Sequence, residues 1–122
     1  EEGKEKRAIE VARRLLSPHG RITLLHVAEV LPSYLDMNLI EDIVRRNRVA
    51  AADRLKEIAE REGAEWKVAP GHAGRAIVEF AEENGNDCVV IASHRPVFSD
   101  HLLGSTAARV VRHASCSVHV VR

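Results

Sequence analysis

The sequence is poor in aromatic residues and has no surplus of either charge. One tryptophan, one tyrosine and two phenylalanines are spread over 122 residues. Trp66 and Phe98 stand isolated, which excludes a ring-lined platform for stacking bases. Eighteen basic side chains balance eighteen acidic ones, so the net charge of a disordered chain is absent, and the basic footprint of nucleic-acid binding is reduced to what a local patch could supply. The only cysteines, Cys88 and Cys116, lie in or beside apolar segments without C-x-x-C or His/Cys ligand spacing. That excludes a disulfide-dense scaffold and predicts buried thiols. No apolar run approaches the roughly 18 residues of a membrane span, and no charged-then-apolar leader precedes the first helical pattern. The expectation is a soluble cytosolic protein with no membrane or nucleic-acid partner.

What is present is a globular composition, 45% apolar and 30% charged, of a length that predicts one domain over residues 1–122. Fourteen of the eighteen cations are arginine, a bias toward fixed, planar ion pairs. Residues 5–16 set Ala8, Val11, Ala12, Leu15 and Leu16 on one helical face, and Ser17-Pro18-His19-Gly20 stops the helix. Ile22-Thr23-Leu24-Leu25-His26-Val27 is too short for a helix and predicts a strand buried on both faces, ended by Pro32. Residues 38–62 form a long amphipathic pattern stopped by Gly63, and residues 64–70 predict an outer strand with one wet side. Gly71-His72-Ala73-Gly74 reads as a loop before a short helix striped by Ala76, Ile77, Phe80 and Ala81 and closed by Asn84-Gly85-Asn86. Residues 87–93 are the most apolar run and predict an interior parallel strand. A helix over 106–114, with Ala107, Val110, Val111 and Ala114 on one face, and a strand over 117–121 complete the order α-β-α-β-α-β-α-β. Such alternation predicts an α/β fold, doubly wound around a mostly parallel sheet, with ligands beyond the carboxyl ends of the strands.

The loop after the most apolar strand runs Ala92-Ser93-His94-Arg95-Pro96-Val97-Phe98-Ser99-Asp100-His101 before Leu102-Leu103-Gly104-Ser105-Thr106 opens the last helix. Gly104 allows close approach to the backbone, Ser105 and Thr106 offer hydroxyls, and the free amides of a helix start carry about half a positive charge. This combination makes a seat for an anion or phosphate. The competing reading makes Ser105 or Thr106 a plain N-cap and Gly104 a turn residue.

Other candidates carry less. His94, Asp100, His101 and His113 are not spaced as a metal set, and His113 suits a helix C-terminus, where a cation complements the dipole. His26 and His119 lie within strands and are expected to be hydrogen-bonded core or interface residues. Neither Ser93 nor Ser105 sits in a G-x-S-x-G elbow that would pair it with His94 as nucleophile. Arg45, Arg46 and Arg48, with Glu41, Asp42 and Asp53 nearby, read as a solvated helix face.

Gly71 with Ala76-Ile77-Val78-Glu79-Phe80-Ala81, Asp87-Cys88-Val89-Val90-Ile91-Ala92-Ser93-His94, Leu103-Gly104-Ser105-Thr106 with Val111-Arg112-His113-Ala114, and the closing Ser117-Val118-His119-Val120-Val121 together resemble the universal stress protein family. The resemblance implies a flavodoxin-like five-stranded domain, similar to the adenine nucleotide alpha hydrolases, that dimerises through its last strand, here 117–122. In many members the domain binds ATP. It also implies a first, central strand that the 122 residues do not include, so an incomplete sequence or a truncated product is expected. By matching position, Val27 and Ile91 would line the adenine or ribose pocket, and Ala92, Gly104, Ser105 and Thr106 would lie at the phosphates. His94 and Arg95 join them on their own chemistry. Ala92 stands where the family commonly has the first glycine of a Gly-x-x-Gly loop, and Ser-His-Arg-Pro resembles a branch with Ser-His-x-Pro at this place.

The function implied is ATP binding in stress response or signalling, with magnesium or manganese arriving with the nucleotide. Little or no hydrolysis is expected, because there is no Walker lysine and no carboxylate placed to orient water. The alternative is a dimeric interaction module whose pocket is filled by Arg95, Pro96, Val97 and Phe98.

Overall fold

The computed structural model describes residues 2–29, 37–93 and 103–122. Eight elements follow in the order α1 (Glu2–Leu15), β1 (Thr23–Ala28), α2 (Met37–Glu62), β2 (Glu65–Pro70), α3 (Ala73–Glu83), β3 (Cys88–Ala92), α4 (Ser105–His113) and β4 (Ser117–Val121). The alternation read from the sequence is the one observed, and every strand pairing among the described residues is parallel. The chain divides into two compact units, one holding α1, α3, β3, α4 and β4, the other β1, α2 and β2 over Arg21–His72.

In the first unit β3 pairs with β4 from Cys88↔Ser117 to Ala92↔Val121. Helix α1 packs on this pair, and α4 packs on α3 and β4. The buried apolar side chains are Ala76, Ala81, Ala107, Val110 and Val121. Most are small, so α3 and α4 approach closely. A Cβ on Gly74 would come within 2.8 Å of the Arg109 Cδ and 3.0 Å of its Cβ. Ala73 and Gly74 thus open α3 rather than extend the loop expected before it. The turn is made by Gly71 alone, at φ 125°, a conformation that L side chains rarely adopt.

In the second unit β1 pairs with β2 from Thr23↔Glu65 to Ala28↔Pro70, and α2 covers both strands. Helix α2 ends as its sequence predicts: Gly63 takes φ 67° and the Ala64 N–H donates to the Ala59 carbonyl at 2.8 Å. This six-to-one bond belongs to a Schellman stop. Helix α3 ends the same way, with Gly85 at φ 64°, Asn86 N–H donating to Ala81 O at 2.9 Å and Gly85 N–H to Glu82 O at 3.3 Å.

Burial departs from the sequence pattern in several places. Every residue of β3 is half-buried, and in β1 only Ala28 is buried, because each strand has one ladder neighbour among the described residues. Cys88 and Cys116 are half-buried. His26 and His119 are exposed rather than core residues. Leu15 and Val111, placed on helix core faces by period, are 54% and 48% exposed. No described helix is long and apolar enough to cross a membrane.

Candidate functional site

The first unit brings the carboxyl end of β3 against the start of α4 through one residue. Ser93 follows β3 directly and is buried. Its N–H donates to the Val121 carbonyl at 2.9 Å, which extends the β3–β4 ladder by one bond. Its hydroxyl oxygen accepts from the Gly104 N–H at 3.4 Å, and its carbonyl accepts from the Lys4 ammonium at 2.8 Å. The end of the strand, the start of α1 and the start of α4 thus converge on a single serine.

Gly104 is the N-cap residue of α4, with φ −61° and ψ 156° and no side-chain cap. This corrects the reading in which Ser105 or Thr106 capped the helix: both lie inside it, Ser105 exposed and Thr106 half-buried. The first intrahelical bond runs from Ala108 N–H to Gly104 O at 2.9 Å. The N–H groups of Ser105, Thr106 and Ala107 therefore precede any intrahelical acceptor, and no described residue accepts from them. The extended φ and ψ of Gly104 suit any residue. Glycine is not needed there for the backbone's sake, and its effect is to leave the space before these amides free of a Cβ.

Among the other residues singled out from the sequence, Ile91 and Ala92 are the last two of β3 and are half-buried. Val27 is half-buried near the end of β1, in the second unit. His94 and Arg95 lie outside the described residues, as do Pro96, Val97, Phe98, Asp100 and His101. Arg112 and His113 occupy the last turn of α4, where positive charge faces the negative end of the helix dipole. Among the described residues no group of three or more His, Cys, Asp and Glu side chains could hold a metal ion.

Sequence pattern misses two participants. Lys4 carries no signal, since a lysine at the start of an amphipathic helix is ordinary. Ser93 draws notice in the sequence as a nucleophile and as the first residue of Ser-His-Arg-Pro, neither of which shows that its hydroxyl is an acceptor for a backbone amide. The site can hold an anion: it offers three amides without described acceptors, two neighbouring hydroxyls and an ammonium group nearby.

Comparison with known proteins follows the same outline. The sequence model of the universal stress protein family matches residues 2–122. Universal stress protein G of Shigella flexneri is 34% identical over 125 residues, covering 95% of this chain and 87% of that protein. A universal stress protein of Methanocaldococcus jannaschii is 29% identical, covering 96% of this chain and 72% of its own length. Among solved structures, UspA from Lactobacillus plantarum superposes with a TM-score of 0.79 at 18% identity, covering 99% of this chain and 88% of that one. A universal stress protein solved in complex with cAMP superposes with a TM-score of 0.66 at 20% identity, covering 95% and 87%.

Proposed function

The chain belongs to the universal stress protein family, and from that premise we propose that it is an adenine-nucleotide-binding module, acting in stress response or signalling, that holds ATP with its phosphates against the start of α4. The observation that carries this reading is the row of Ser105, Thr106 and Ala107 amides without a described acceptor, fronted by a glycine whose backbone angles do not require glycine. An anion there meets both the N–H groups and the positive end of the helix dipole. The cAMP complex of a structural relative supports the adenine-nucleotide class. For the base, family resemblance assigns Ile91, and His94 and Arg95 are added at the loop on their own chemistry. Magnesium or manganese would enter with the nucleotide and supply charge neutralisation to its phosphates. The chain's own groups bind and orient, and turnover is expected to be negligible. We further propose one cytoplasmic module over 1–122 that forms a homodimer through β4.

Titration calorimetry tests the seat. Wild-type protein should bind ATP, and Gly104→Val should weaken binding at least tenfold by filling the approach to the amides. Unchanged affinity in Gly104→Val would remove the phosphate from this helix end. Absence of any nucleotide binding would leave the dimeric interaction module as the account of the protein.

A further inference from the structure

The second unit exposes apolar surface where a small domain ordinarily hides it. Trp66, on β2, is 40% exposed and Val49, on α2, is 55% exposed. Between α2 and β2 runs an open groove of about 510 Å³ lined by Arg48, Val49, Ala52, Trp66, Lys67 and Val68. Its floor is apolar and its two charged members are both cations. Arg48 sits where the helical stripe of Val44, Ala51 and Leu55 calls for an apolar residue, and its neighbours three and four positions away, Val44, Arg45, Ala51 and Ala52, include no acid. Neither Arg48 nor Lys67 is paired with a carboxylate among the described residues. The adjacent carboxylate of Glu65 is already engaged, by Arg21 at 3.9 Å and by the Thr23 hydroxyl at 3.5 Å.

The backbone of β2 adds a direction. Glu65 N–H donates to Ile22 O at 2.9 Å and Gly71 N–H to Ala28 O at 3.2 Å. In a parallel ladder alternate residues bond to the same neighbour, so 65, 67, 69 and 71 face β1. The N–H and C=O of Trp66 and Val68 point to the other edge, along which no described strand pairs. The groove and the open edge therefore share two residues, Trp66 and Val68.

We propose that this edge is a docking site for an extended segment of a partner protein in which apolar and acidic residues alternate. The segment adds as a strand beside β2 and bonds to the backbone of Trp66 and Val68. Its apolar side chains cover Val49, Ala52 and Trp66 on one face of the sheet. Its carboxylates on the opposite face meet Lys67, whose side chain alternates with those of Trp66 and Val68, and Arg48 adds positive charge at the rim of the groove. Charge selects this occupant: a second copy would bring another Lys67 and Arg48 toward the edge, and lysine on an edge strand disfavours such self-pairing. Main-chain bonds supply affinity in strand addition, and side chains of alternating face supply specificity.

Trp66 is the only tryptophan of the chain, so its fluorescence reads the groove directly, without nucleotide. The probe is a blocked eight-residue peptide alternating Val or Leu with Asp or Glu, beside a twin with Lys at the acidic positions. The expected result is a saturable blue shift with the acidic peptide and at least tenfold weaker binding of the basic twin. Arg48→Glu with Lys67→Glu, both at exposed positions and checked for unchanged far-ultraviolet circular dichroism, should reverse that preference. N-methylation of the peptide amides on its edge-facing side should cost tenfold or more. The proposal is overturned by equal affinity for the two peptides, by binding of neither, or by an acidic preference that survives charge reversal. It is overturned equally by a shift that follows protein concentration and mass without peptide, or one produced only by a single-stranded oligonucleotide.

Discussion

Ser93 illustrates how much one buried hydroxyl can organise. Replacing it with alanine leaves the backbone bonds to Lys4 and Val121 in place but deprives the Gly104 N–H of its acceptor. Ser93→Ala should therefore cost about 1 kcal/mol in urea unfolding, a typical figure for a lost hydrogen bond. None of this is legible in the sequence, because the partners of Ser93 at Gly104 and Lys4 lie 11 and 89 residues away in the chain. Gly85 is the opposite case. Its stop role is written in Asn84-Gly85-Asn86, and the structure adds only the angle, φ 64°, with nothing within 4 Å of where a Cβ would stand. Gly85→Ala is strained by the backbone alone and should lower stability by about 1 kcal/mol. Cys88 supplies a pH dependence. Burial pushes its thiol above the ordinary range, and the nearby Cys116 and Asp87 push the same way. Folding therefore favours the protonated thiol, whose contribution is complete below the unfolded thiol pKa and is lost as pH rises through the higher folded value. Iodoacetamide should modify Cys88 more slowly at pH 8 than an unfolded control, and stability should fall on the alkaline side.

Among the elements, the α3–α4 contact is the most demanding. Gly74 lies against the stem of Arg109 on α4, and two of the three contacts a Cβ would make there are at 3.0 Å or less. Gly74→Ala gains helix propensity while pressing on that stem, so the two effects oppose. Gly74→Val has no such offset and should destabilise by about 2 kcal/mol through overpacking. Val110 and Val111 form a sharper pair. Val110 is fully buried and Val111 is 48% exposed. Val110→Ala should cost about 2 kcal/mol, whereas Val111→Ala should change stability by less than about 0.5 kcal/mol. Thermal unfolding of both variants checks this. Periodicity places both valines on the core face, since residues next to each other on a helix are about 100° apart and a broad stripe accommodates both. What separates them is the position of α3, which local pattern does not contain. The same reasoning explains why helix ends marked by Gly63 and Gly85 are readable, while the first turn of α3 reads as loop: the glycine at 74 serves packing, although it looks like a turn residue.

At the scale of the whole molecule, the order of elements and the parallel sense of the strands follow from alternation, because parallel neighbours require crossovers. Which strand lies beside which does not follow, and neither does which edge is left open. Those edges decide assembly. Ser117 N–H donates to Asp87 O at 3.3 Å and Ser93 N–H donates to Val121 O at 2.9 Å, which sets residues 117, 119 and 121 toward β3. The backbone groups of Val118 and Val120 consequently face the outer edge, along which no described strand pairs. If the proposed dimer forms by pairing β4 with its copy, the outward N–H of Val120 is a seam donor and the N–H of His119 belongs to the ladder inside the protomer. Proline separates the two roles, because it removes one N–H and is tolerated on an edge. Wild-type protein should show a dimer mass by light scattering at micromolar concentration. Val120→Pro should give a monomer that still unfolds cooperatively, and His119→Pro should lose much of its stability by breaking the β3–β4 ladder. A Val120→Pro protein that stays dimeric would place the seam elsewhere. A monomeric wild type would leave Val118 and Val120 with a free edge that some other strand must cover.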